Sequence, residues 1–114
     1  MTSRVLVLGD PAYDYPLAVE KMLQSAYLHV RPLSETPPEL ATMGAEGPEQ
    51  WAASWWTQHG LRMVPAPNIA HPYKLMHHYV SAFPDVVLIF GESKFLTRAA
   101  ERCTRYQIEP VIVP

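Results

Sequence analysis

Apolar and polar positions follow two rhythms along this chain, and they alternate. Arg4-Val-Leu-Val-Leu8 is an apolar, β-branched run without polar interruption that stops at Gly9-Asp10. It predicts a strand covered on both faces, as in a parallel sheet. From about residue 15 to 27 the spacing becomes helical. Val19, Met22, Leu23, Ala26 and Tyr27 form one stripe and Glu20, Lys21 and Gln24 the other, with Asp14 as the expected N-cap and Pro16 in the first turn. Leu28 to Leu33 reads either as a strand or as a continuation of that helix followed by a loop, and Ser34 to Glu39 is a loop by composition. A short second strand is expected at about Leu40 to Met43, and a second helix at about Pro48 to His59, closed by Gly60.

Leu61 to Val64 reads as the third strand and Pro65-Ala-Pro-Asn68 as a rigid loop. Pro72 opens a third helix whose buried stripe is expected to hold Leu75, Met76, Tyr79, Val80 and Phe83, with Pro84 ending it. Asp85 to Phe90 is the clearest strand. Gly91-Glu-Ser-Lys94 is a turn, and a last helix over about Phe95 to Tyr106 buries Leu96, Ala99, Ala100 and Cys103. Pro110 to Val113 is the closing strand. Strands that alternate with helices from end to end imply βαβ units. The expected fold is α/β: a single three-layer α/β/α Rossmann-like domain over residues 1–114, with a mainly parallel sheet of about five strands.

Composition narrows the function. Twelve prolines keep the elements short, and 48% apolar residues mark a globular chain. The formal net charge of −2 gives no general attraction to nucleic acid or to an anionic membrane. No apolar run reaches bilayer length, and the first strand begins almost at once, so a cytoplasmic protein without membrane or nucleic-acid partner is expected. Cys103 has no second cysteine to pair with and reads as a small core residue.

Candidate chemistry gathers where strands end. Gly9-Asp10, the segment Gly44-Ala45-Glu46-Gly47, and Gly91 to Lys94 each follow a predicted strand. In an open α/β sheet, ligands bind outside the carboxyl ends of the strands, near the point where strand order reverses. Glycine turns at three such ends let backbone approach a ligand of phosphate or nucleotide size. Pro48 then starts a helix whose free N–H groups suit an anion.

Arg4-Val-Leu-Val-Leu-Gly9, Gly44-Ala-Glu-Gly-Pro-Glu-Gln-Trp-Ala-Ala-Ser-Trp-Trp56, Asp85-Val-Val-Leu-Ile-Phe-Gly91 and Ile108-Glu-Pro-Val-Ile-Val113 together resemble the SLOG superfamily of Rossmann-like proteins, and within it the YspA-like branch of bacteria and their phages. The resemblance spans nearly the whole chain. It implies a nucleotide or nucleotide-derived ligand, held by Gly9, Asp10, Gly44, Ala45, Glu46, Gly47, Glu49, Lys74, Gly91 and Lys94. Glu46 stands where the family has an arginine, Glu49 where it has an acidic residue, and Gly91-Glu-Ser-Lys94 replaces a glycine-rich third motif. Lys74 is the nearest match to a basic residue ahead of the fourth strand. The catalytic set of the phosphoribohydrolase relatives is not intact, so binding without turnover and without a cofactor is the expectation; a nucleotide or nucleoside hydrolase is the lesser alternative.

Three further groups stand out. Trp51, Trp55 and Trp56 exceed what one face of a small core needs; Trp51 and Trp55 share a face, and a homo-oligomer or protein contact through this helix is the second functional reading. His71, His77 and His78 lack the i, i+4 spacing of a helical metal site and read as surface or capping residues, so no metal is expected. Arg98, Arg102 and Arg105 recur at i, i+4, i+7 and read as a solvated face with Glu101–Arg105 pairing, or as a contact for an anion. No Lys or Arg occurs between Arg31 and Arg62.

Overall fold

A computed structural model describes residues 2–114. Five parallel strands lie in the order β3-β2-β1-β4-β5: β1 (Arg4–Gly9), β2 (Glu39–Thr42), β3 (Arg62–Met63), β4 (Val86–Phe90) and β5 (Val111–Val113). Helices α1 (Pro16–Val30), α2 (Pro48–Gln58), α3 (Pro72–Ser81) and α4 (Lys94–Arg105) fill the connections. β1 is central because its alternate residues serve two cores at once. Val5 and Val7 join Leu40, Leu88 and Phe90 beneath α1 and α2, while Leu6 and Leu8 join Ala41, Val87 and Ile89 beneath α3 and α4. A strand covered on both faces cannot alternate with polar residues, which is why the sequence of β1 is continuously apolar. The result is a three-layer α/β/α sandwich.

The register is fixed at the amino edge as well as by the core. Arg4 pairs with Glu39 across β1 and β2 and bridges to it at 3.7 Å, while the Arg4 amide donates to the Asp85 carboxylate at 2.8 Å. Glu39, assigned by composition to the preceding loop, therefore opens β2.

Helix ends account for the departures from the predicted pattern. α1 runs on to Val30 and ends in a 3-10 turn, Arg31–Leu33, so residues 28–33 are helix and turn, not strand. Val30 is buried in the α1–α2 core, and that contact extends the helix. Tyr15, not Asp14, occupies the N-cap of α1 and makes no side-chain capping bond; the fixed φ of Pro16 sets the first turn instead. The second helix does stop at Gly60, which follows the cap residue His59 with φ +72; the Gly60 and Leu61 amides return to Thr57 O and Trp56 O. α3 ends earlier than its apolar stripe suggested. Phe83 lies past the cap with φ +54 and is 63% exposed, because Pro84 forces the chain out of the helix before Phe83 can reach the core. Among the described residues no helix is long and apolar enough to cross a membrane.

Candidate functional site

Strand order sets the place. β3 leads through α3 across the sheet to β4, so the order reverses between β1 and β4, and a crevice opens at the carboxyl ends of these two strands. The Asp10 amide donates to Phe90 O at 2.9 Å and joins the two strand ends. The Asp10 carboxylate accepts from the Ala12 amide at 2.9 Å, and the Tyr13 amide donates to Asp10 O, so Asp10 shapes its own loop.

The glycine turns meet each other here. Gly91 has φ +96, and a Cβ on it would lie 3.0 Å from the Asp10 Cβ. Gly47, with φ +82, is the N-cap of α2, and a Cβ there would lie 3.2 Å from Pro11 O. Gly44, with φ +80, faces open space. Thus Gly9, Asp10, Gly47 and Gly91 are brought together, with Gly44, Ala45 and Glu46 on the outer side of the same loop. Gly47 and Gly91 allow loops to approach one another. Lys74 and Lys94 are exposed in the first turns of α3 and α4, where a cation opposes the helix dipole.

Glu49 is turned inward. It is 3% exposed, and its carboxylate accepts from the Met43 amide at 2.5 Å and the Gly9 amide at 3.4 Å. A side chain of the protein thus occupies amide donors of the kind a bound anion would use, and it does so at the first turn of α2. Burial pushes its pKa up, opposed by the Met43, Gly9, Ala45 and Gly44 amides. For an acid whose folded pKa is raised, the stabilising contribution is full below the ordinary value of 4.5 and is lost as pH rises through the folded value. Glu49→Gln abolishes this titration. Denaturant unfolding from pH 4 to pH 8 is therefore expected to show the parent losing stability relative to Glu49→Gln as pH rises; a relative gain would contradict the burial of this carboxylate.

The cavity beside the crevice was not foreseen. Tyr13, Tyr15, Pro16 and Leu17 face Val113 and Pro114 around a space of about 590 Å³, open to solvent. Tyr13 packs on Phe90 with ring centroids 5.5 Å apart, and Tyr15 meets Tyr13 edge-on at 5.4 Å. Tyr15 and Leu17 are 65% and 70% exposed. The signal was present in the sequence: two tyrosines between two prolines, immediately after the first strand's glycine.

Other sequence-predicted features fall away from the crevice. Trp56 is the tryptophan in the core, with Trp51 and Trp55 half-buried against the same cluster and Trp55 stacked on His59 at 4.0 Å. His77 faces Tyr106, and among the described residues no group of three His, Cys, Asp or Glu side chains is placed to hold a metal ion. Cys103 is fully buried, as expected of a core residue. Glu101 makes no ion pair with Arg105 among the described residues, in contrast to the expected pairing.

Fold and crevice together define a Rossmann-like α/β domain that lacks the sixth strand of the full Rossmann order. No family model, curated protein or solved structure matches this chain.

Proposed function

We propose that this protein binds a nucleotide or nucleoside-derived small molecule at the carboxyl ends of β1 and β4, and senses or sequesters it without turning it over. The observation that carries this reading is the conjunction of the strand-order reversal with an aromatic cavity at the same edge. The base stacks on Tyr15, whose ring is exposed beside Tyr13. The Asp10 carboxylate, which uses one oxygen on the Ala12 amide, accepts a sugar hydroxyl with the other. Any phosphate points away from the Gly44–Gly47 turn, where Glu46 and the Glu49 carboxylate repel it, and towards Lys94.

A thermal-shift panel of nucleosides, nucleotides and nucleotide sugars tests this, because a ligand that binds only the folded chain raises its melting temperature. One class is expected to give a clear shift. Tyr15→Ala is expected to weaken that ligand by about 1–3 kcal/mol, the value of one base–aromatic stack. Unchanged affinity in a folded Tyr15→Ala protein would show the placement to be wrong. A second reading rests on Trp51 and Trp55, which α2 leaves half-buried: the crevice is vestigial and the protein acts through self-association. It gains support if millimolar ligands give no shift while the mass in solution rises with concentration.

A further inference from the structure

The layer of α3 and α4 carries charge unlike the rest of the molecule. These two helices hold five of the nine Lys and Arg residues and one of the eleven acidic residues, in a chain of net charge −2. Between them lies a groove of about 280 Å³, lined by Tyr73 and Met76 from α3 and by Arg98, Glu101, Arg102 and Arg105 from α4. The Arg98 guanidinium carbon sits 5.1 Å from the centroid of the Tyr73 ring, and Tyr73 packs in turn on Phe95 at 5.2 Å. That cation–π contact holds the guanidinium at the groove without using its N–H donors. Among the described residues none of the three guanidinium groups has a hydrogen bond or an ion pair, although Glu101 stands in the same groove.

We propose that the α3–α4 groove is a second ligand site, separate from the carboxyl-edge crevice, and that it takes a multiply charged oxyanion of the phosphoryl class. Three guanidinium groups against one carboxylate leave two positive charges uncompensated, and a monoanion neutralises only one of them. A phosphoryl group brings about 1.5 to 2 negative charges and three acceptor oxygens. The planar forks of arginine match those oxygens in pairs, which is the geometry of the stronger charge-assisted hydrogen bonds. The apolar floor of Met76 lowers the local dielectric and strengthens each of these contacts. The proposal shares no residue with the Tyr15 cavity, so it stands or falls independently of the nucleotide reading.

The test is calorimetric titration of the full chain with inorganic tripolyphosphate at fixed ionic strength. The parent is expected to bind saturably at one site. Arg98→Gln and Arg102→Gln are each expected to weaken it about tenfold or more, the scale of one charge-assisted contact. Lys21→Gln, exposed on α1, is expected to stay within about twofold. Glu101→Gln is expected to tighten binding, because it removes the one repulsive charge; a variant that merely misfolded gives no such gain. Titration with anionic phospholipid vesicles then distinguishes a headgroup from a free phosphate ester as the source of the oxyanion. The proposal is overturned by any of three results: no saturable heat at millimolar tripolyphosphate, equal weakening in Lys21→Gln, or unchanged affinity in both arginine variants.

Discussion

Trp56→Ala is expected to remove about 3–5 kcal/mol of stability, the cost of emptying a large buried aromatic site. Trp56 is fully buried in the core beneath α1 and α2, where its ring meets Tyr27 edge-on at 5.8 Å. Its indole Nε1–H donates to Arg62 O at 2.8 Å and so ties α2 to the edge strand β3. β3 spans only two residues, and its ladder to β2 is correspondingly short, so this one side-chain bond carries a large share of its anchoring. A domain of this size holds about 5–15 kcal/mol in total, so the variant is expected to sit near the unfolding threshold. Urea denaturation measures the loss. Trp56→Phe separates the two contributions: it keeps most of the packing and removes only the indole bond to Arg62 O, at an expected cost of about 0.5–1.5 kcal/mol. A loss below about 1 kcal/mol for Trp56→Ala would be incompatible with the packing described.

The second large effect has the opposite sign from its propensity. An alanine inside a strand is ordinarily preferred over glycine by about 0.5–1 kcal/mol. Gly9→Ala is nonetheless expected to destabilise by about 1–3 kcal/mol through overpacking. A Cβ on Gly9 would lie 2.7 Å from the Pro48 Cβ and 2.9 Å from its Cγ. A proline ring cannot rotate away, because it is closed onto the backbone of the first turn of α2. The helix start would have to move, and with it the Glu49 carboxylate that the Gly9 amide contacts. Thermal and urea unfolding of Gly9→Ala, Pro48→Gly and the double variant give a cycle in which a coupling of about 1 kcal/mol or more is expected. A stabilised Gly9→Ala would sink the close approach of α2 to β1.

Much of this architecture could be read from the residues in order. The unbroken apolar run of β1, the helical stripes of α1 and α4, and Gly60 after α2 are each local patterns, and each folded as its pattern required. Where the local pattern was ambiguous, distant contacts resolved it. Residues 28–30 stayed helical because Val30 reached the α1–α2 core, and Phe83 was lost from its stripe because Pro84 turned the chain.

The candidate crevice was only partly legible, for a reason specific to glycine. A glycine in sequence announces a backbone that turns or a neighbour that comes close, but it does not say which. Gly47 and Gly91 serve approach between loops, at Pro11 and Asp10, while Gly44 faces solvent. The acidic residue at 49 looked like a group facing the ligand, yet its carboxylate lies under the loops on the amides of Met43 and Gly9. Nothing within six residues of Glu49 specifies its contact with Gly9, which is forty positions away.

The sequence by itself determined the alternation of strands and helices, the apolar character of both sheet faces, and the stop of α2 at Gly60. Those properties depend on periodicity and on proline and glycine, which act within a few residues. Only the tertiary structure decided that Trp56 and not its two neighbours fills the core, that Tyr15 stands beside the strand-order reversal, and that Arg98 lies over Tyr73. Each of these depends on which elements become neighbours, and that is set by burial of two shared cores around β1, not by spacing along the chain.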